Sequence, residues 1–265
     1  MVDFGGLAGE VVAELQAVSQ IAGDLWKREW AERNAGNISI DFSDHFSLGK
    51  HSPDSPFVPY AMPASLAGYT LFVSGKGCYL RSLTDKIDEA GCILQINADA
   101  SAYQILWGGK SSGFKPSSEM ITHLKIHHFN TLHRPDHKVV LHTHPTELIV
   151  LSHNELFERE AAFNQALWKM CPEISLFVPD GVCCAPYAIT GSEALAEVTI
   201  HGLKTRNVIL WEKHGALATG STINSAFDFI DVANKGAKML LMAWAAGFEP
   251  KGLSTAQLKA LEKLR

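Results

Sequence analysis

The 265-residue sequence has no apolar run approaching the roughly 18 residues that a membrane-spanning helix requires. Cysteine is sparse and unpaired: the five residues Cys78, Cys92, Cys171, Cys183 and Cys184 are odd in number and form no Cys-x-x-Cys pair. That argues against a disulfide framework and reads as reduced, mostly buried thiols in a reducing compartment, with the cytoplasm as the expected location. No sign of charge dominates, because 23 Lys and Arg oppose 28 Asp and Glu for a net charge of -5. A broad electrostatic attraction to nucleic acid or to an anionic membrane is therefore not expected. An anionic ligand would need a local site built from backbone amides and a few side chains. Internal repeats, low-complexity tracts and linkers are also lacking. Asp3, Glu10, Glu14 and Asp24 interrupt the apolar positions of the first 30 residues, which argues against a signal-peptide core. What is present is ordinary globular composition, 46% hydrophobic and 19% charged.

Periodicity predicts an N-terminal helix over residues 8–33, with Val11, Leu15, Ile21, Leu25 and Trp26 at helical spacing. Asn34-Ala35-Gly36-Asn37 breaks it, and a strand begins at Ile38. Residues 43–68, rich in Ser, Pro, His and Gly, read as a long loop. Strands are expected at 69–73, 90–96 and 101–106. A helix begins near Pro116, with Ile121, Leu124, His128 and Leu132 on one face. Val139 to His144 reads as a buried strand, 146–170 and 192–205 as helices, and 174–178, 181–185 and 208–211 as further strands. A last helix occupies roughly 222–245. The whole chain, 1–265, reads as a single α/β domain with a central, mainly antiparallel sheet.

His142 and His144 lie one residue apart on the predicted strand, so period-2 geometry sends both imidazoles to one face. His-x-His alone does not separate metal ligands from two surface histidines. The buried run Val139 to Leu141 before it favours ligands, because imidazoles in such a place need partners. His214 ends another apolar strand and precedes Gly215, which permits close backbone approach. Three neutral imidazoles with an open fourth position suit catalytic Zn²⁺. A rival set is Glu119, His123 and His127, spaced i, i+4 and i+8 on one helix. With Lys125, His128 and His133 beside it, this set also reads as a polar, solvated face. Glu119 stands at the helix start, where a carboxylate is favoured by the helix dipole.

Taken together, Asn34-x-x-Asn37 with Gly36, Ser74-Gly75-Lys76-Gly77, Pro116-Ser117-Ser118-Glu119, His142-x-His144 and His214-Gly215 resemble, in order, the class II aldolase/adducin family. The similarity spans about residues 20–245. Within it, Ile105 to Gly108, Leu167-Trp168, Phe177 to Gly181 and the extended loop before residue 69 are most similar to the branch acting on L-rhamnulose 1-phosphate. The resemblance implies reversible cleavage of that sugar phosphate into dihydroxyacetone phosphate and L-lactaldehyde. It implies a three-layer α/β/α fold, one Zn²⁺ per subunit, and a homotetramer with sites near subunit interfaces. It implies His142, His144 and His214 as zinc ligands, Glu119 as acid/base and Glu173 as a second pocket carboxylate. Asn34, Asn37, Ser74, Gly75, Lys76, Ser117 and Ser118 fall where the phosphate end is held. Lys76 departs from the pattern, which usually has serine there. No tyrosine is assigned as a proton donor to the aldehyde. The same family holds fuculose-phosphate aldolases, pentulose-phosphate 4-epimerases and the non-enzymatic adducin head, which are the alternative readings.

Overall fold

The computed structural model describes residues 2–48 and 55–264, so residues 49–54 of the expected loop lie outside it. Among the described residues the β-strands are β1 (Asn37–Asp41), β2 (Val58–Pro59), β3 (Thr70–Ser74), β4 (Gly91–Ile96) and β5 (Ala102–Gly108), followed by β6 (Val139–Thr143), β7 (Val182–Ala185), β8 (Val208–Trp211) and β9 (Gly215–Gly220). They form one sheet in the order β2-β5-β4-β3-β1-β6-β9-β8-β7. Every pairing is antiparallel except β7 with β8. β1, near the middle, is thus bonded to β3 on one side and to β6 on the other, with Asn37 opposite His142.

The helices are α1 (Gly9–Lys27), α2 (Ile87–Ala90), α3 (Met120–His133), α4 (Thr146–Leu151), α5 (Glu160–Trp168), α6 (Pro172–Phe177), α7 (Glu193–Leu203), α8 (Ile223–Ala245) and α9 (Thr255–Leu261). One face of the sheet, through Ile38, Ile40, Phe72, Leu141 and Leu210, is covered by α1, α4, α5, α6 and α8 in one continuous apolar cluster. The other face carries α3 and α7, and there the apolar side chains divide. Leu71, Val73 and Leu94 meet Met120 and Leu124, while Val140, Ile209 and Leu217 meet Ile126, Phe129 and Leu195. The architecture is therefore three-layered α/β/α, as the sequence predicts. No helix among the described residues is long and apolar enough to cross a membrane.

Several sequence expectations are corrected. The first helix ends at Lys27 rather than near 33, because Glu29 and Arg33 take left-handed φ values of 63° and 49°. Residues 174–178 lie in helix α6 and its end, not in a strand. Pro172 at the first helical position and Glu173 in the first turn favour that start, and a short apolar run cannot by itself distinguish the two. The helix expected over 146–170 is two helices. Ser152 ends α4 by turning its hydroxyl back to the Ile149 carbonyl at 2.7 Å, and Asn154 accepts from the Leu156 amide at 3.0 Å in the intervening turn. In α3 the buried face is Met120, His123, Leu124, Ile126, His127 and Asn130, whereas Leu132 is 59% exposed. The polar, solvated face expected for His123 and His127 is therefore not found. α9 has no counterpart in the sequence reading.

Candidate active site

The site sits where β6 and the β8–β9 turn meet. Thr143 Oγ1 and the His144 amide both donate to the Trp30 carbonyl, at 2.6 and 2.9 Å, which fixes the end of β6 against the N-terminal segment. The β8–β9 turn places Lys213 at φ 58° and delivers His214 beside β6. Gly215 is required there: a Cβ would lie 2.8 Å from both His142 Cε1 and His144 Cδ2. Gly36, at φ 80°, is similarly placed, since a Cβ would stand 2.8 Å from the His142 carbonyl oxygen.

The ring centroids of His142, His144 and His214 are 5.0 to 5.4 Å apart. One ring nitrogen from each lies within 4.8 Å of the others. His142 Nδ1 is 2.9 Å from the Ala216 carbonyl, so it carries the proton and leaves Nε2 as the lone-pair nitrogen. His144 Nδ1 is 2.6 Å from Glu32 Oε1, which leaves its Nε2 free in the same way. Trp211 stacks on His214 at 5.0 Å and 25°, and is itself pinned by its indole N–H donating to Thr199 Oγ1 at 2.9 Å. Burial first, and the neighbouring His144 and His214 rings second, push His142 well below its ordinary pKa. Burial and His144 bring His214 down to about 4. Both are neutral imidazoles near neutral pH, the form that binds a metal.

Glu119 stands at the N-cap position of α3, makes no side-chain capping hydrogen bond, and is buried. Burial raises its pKa, and the Asn37 hydrogen bond and the nearby His144 oppose that rise. Asn37 Nδ2 donates to Glu119 Oε2 at 3.0 Å. A short antiparallel bridge joins Gly75 to Pro116, and the Ser117 amide donates to the Ser74 carbonyl at 3.0 Å. The Ser74 to Gly77 loop and the Ser117-Ser118-Glu119 segment are thereby held side by side. The amides of Gly75, Lys76 and Cys78 donate to the carbonyls of Ala90, Lys115 and Gly75. These three amides are thus occupied by backbone carbonyls. Ser74 is buried, with its hydroxyl oxygen accepting from the Ile38 amide at 3.1 Å. Ser117 is half-buried and accepts from the Glu119 amide at 3.2 Å, while Asn34, Lys76 and Ser118 are exposed.

Glu173 is not brought to this cluster within the chain. It stands exposed at the start of α6 and lines a cavity of about 610 Å³ with Arg28, Cys171, Asp231 and Lys235. Sequence reading missed Glu32, Ser39 and Trp211 as neighbours of the site, and named His123 only within the rival helical set. All are held through residues distant in the chain, and only the Trp211-x-x-His214 spacing offered a local signal.

The model of the Class II Aldolase and Adducin N-terminal domain matches residues 16–241. A rhamnulose-1-phosphate aldolase of Bacteroides thetaiotaomicron is 34% identical over 252 residues, 94% of this chain and 92% of the relative. One from Listeria welshimeri is 31% identical over 232 residues, 86% of this chain and 82% of the relative. A sugar-phosphate aldolase of Thermotoga maritima superposes with a TM-score of 0.77 at 28% identity, over 92% of this chain and 100% of that one. On the extent of these matches, joined to the three-layer fold that carries the histidine cluster, the chain belongs to the class II aldolase and adducin family.

Proposed function

We propose that the chain, an aldehyde-lyase of the class II aldolase type, reversibly cleaves L-rhamnulose 1-phosphate to dihydroxyacetone phosphate and L-lactaldehyde, using one Zn²⁺ per subunit. The observation that carries this reading is the convergence of three histidine rings, with one ring nitrogen of each within 4.8 Å of the others, beside a buried carboxyl group. The donor set fits zinc: three histidine nitrogens, two of them oriented by hydrogen bonds from the opposite ring nitrogen, and room for an open fourth position. A zinc ion held there supplies Lewis acidity for the negative charge that develops on a ketone oxygen when the neighbouring carbon loses a proton.

The chain's own groups do the rest. Glu119 takes and returns the proton at that carbon, and burial, by raising its pKa, makes it a stronger base than an exposed carboxylate. Asn37 holds Oε2 and leaves Oε1 for the transfer. The phosphate end is assigned to the Ser74-Gly75-Lys76 loop, the hydroxyls of Ser117 and Ser118 and the Asn34 amide, with the exposed Lys76 ammonium as the charged contact. Glu173 would enter from a neighbouring copy in the homotetramer that the resemblance implies, since its own cavity is walled by other residues. Five free cysteines accord with a cytoplasmic location.

The test is cleavage of L-rhamnulose 1-phosphate, measured beside L-fuculose 1-phosphate and a pentulose phosphate, with zinc analysis of the same samples. About one zinc per chain and a clear preference for the rhamnulose ester are expected. His142→Ala, His144→Ala and His214→Ala should each lose the metal and the activity together. Full zinc in all three variants would remove the metal assignment, and a preference for another ester would remove the substrate.

A further inference from the structure

A line of polar side chains runs through the α3 face of the sheet, between its two apolar clusters. Asn37, Ser39 and Asp41 occupy alternate positions of β1, and Glu119, His123 and His127 every fourth position of α3. Two strand residues advance about 6.6 Å and four helix residues about 6.0 Å, so the rows can meet rung by rung. They do. Asn37 Nδ2 donates to Glu119, and Asn37 Oδ1 meets His123 Nε2. Ser39 Oγ lies 2.7 Å from His123 Nδ1 and 2.8 Å from His127 Nε2. Asn37, Ser39, His123 and His127 are all buried.

The donors in this chain have one consistent direction. Asn37 turns its NH₂ toward a Glu119 oxygen that accepts, and its own oxygen therefore faces His123. His123 Nε2 must then carry a proton. Burial, with His127 adding to it, brings the His123 pKa down to about 3, so the ring is neutral and its Nδ1 is a lone pair. The Ser39 hydroxyl therefore donates to Nδ1 and accepts from His127 Nε2–H. Burial is also the main cause that brings His127 down to about 4; Asp41 pulls it up and Lys138 pushes it down again. His127 ends the line at a polar cavity of about 60 Å³, which Asp41, Asn130, His137 and Lys138 also line. Every N–H and O–H thus points along the chain toward Glu119. A primary amide in the middle does not conduct protons readily, so the line is built to hold a direction rather than to carry charge.

Such a seam is poor construction for stability alone, since fully apolar packing between the same elements would avoid desolvating four polar groups. We propose that His123, acting through Asn37, is the positioning residue that aims the Glu119 carboxylate, with Ser39 and His127 fixing the His123 tautomer. This rests on the reading of Glu119 as the acid/base.

A mirrored pair of substitutions in the zinc-loaded enzyme tests it. In His123→Gln the terminal amide nitrogen can occupy the place of Nε2 and keep the donor to Asn37. In His123→Asn the shorter amide reaches toward Ser39 and loses that donor. Sugar-phosphate cleavage and exchange of the dihydroxyacetone phosphate α-proton with D₂O are measured, together with zinc content and Tm. His123→Asn should lose about tenfold to hundredfold in kcat, with KM and zinc unchanged, the scale expected when a reacting group is misplaced by about 1 Å. His123→Gln should stay within about threefold of wild type. Equal losses in both, or none in His123→Asn, overturn the proposal. Ser39→Ala, which keeps the His123 ring and removes the hydroxyl that fixes its tautomer, is the second variant should the pair not fold. It should lower kcat several-fold at constant KM, and a wild-type kcat there overturns the proposal too. Glu119→Gln separates the two levels. Wild-type exchange in that variant would sink the acid/base reading itself. Lost exchange there, with His123→Asn and His123→Gln alike, would sink the positioning role alone.

Discussion

The two faces of the sheet solve different problems with the same strands. Beneath α1, α4 and α8 the side chains of β1 are Ile38 and Ile40, and the apolar cluster is unbroken from Val11 to Leu240. On the α3 face the same strand presents Asn37, Ser39 and Asp41, and the apolar packing parts into two clusters around them. One face supplies cohesion through non-directional burial. The other gives up some of that cohesion for hydrogen bonds, which have direction. Stability and catalysis should therefore come apart under mutation according to the face that is touched.

The sharpest break should come from Glu119→Gln, at the end of the polar line. The amide still accepts from Asn37 but cannot take a proton, so α-proton exchange should fall by about 10²–10⁴-fold. Stability should hold or rise, because a neutral group replaces a buried carboxyl. A variant that keeps its exchange and loses its Tm would make Glu119 a structural cap.

Leu15→Ala probes the opposite face, at a fully buried position of α1. It should cost about 2–5 kcal/mol in urea unfolding while leaving kcat and zinc content near wild type. Loss of activity in proportion to stability would erase the distinction between the faces.

The smallest expected effect is a slope. His127 ordinarily titrates near 6.5 but in the folded protein only at about 4. Between those values the unfolded chain binds a proton that the folded chain does not. Its contribution is fully present above about pH 6.5 and is lost as the pH falls toward 4. The limit is about 1.4 kcal/mol per pH unit for each such group. Glu119, with its raised pKa, works in the opposite sense. Urea midpoints measured from pH 7 to 5 should fall less steeply in His127→Gln than in wild type. Identical slopes would mean that His127 is not held neutral.

Much of the apolar face was legible in the sequence because its signal is local. The spacing of Val11, Leu15 and Ile21 reports the buried stripe of α1 without reference to anything else. His142 was legible as well, since period 2 along β6 fixes its face. The polar line was not. Ser39 and His123 are 84 positions apart, and Ser39 and His127 are 88 apart. A histidine on a helix looks solvated until the serine that satisfies it is known. The same holds for α6, where the apolar run from Ile174 to Val178 fits either periodicity and the length of the element decides. Glu173 shows a third limit: its place in the motif order was legible, but its distance from the triad within one chain was not.

The rungs between β1 and α3 behave as a vernier, two scales of nearly equal division laid side by side. Their mismatch is about 0.6 Å per rung, so alignment lasts for about three rungs and is then lost. The line from Glu119 to His127 uses that whole length. Substitutions along it can be compensated one at a time, but a single inserted residue between Glu119 and His127 would turn one end by about 100° against the other. Over evolutionary time this stretch of α3 should therefore diverge in residue type while its length is preserved.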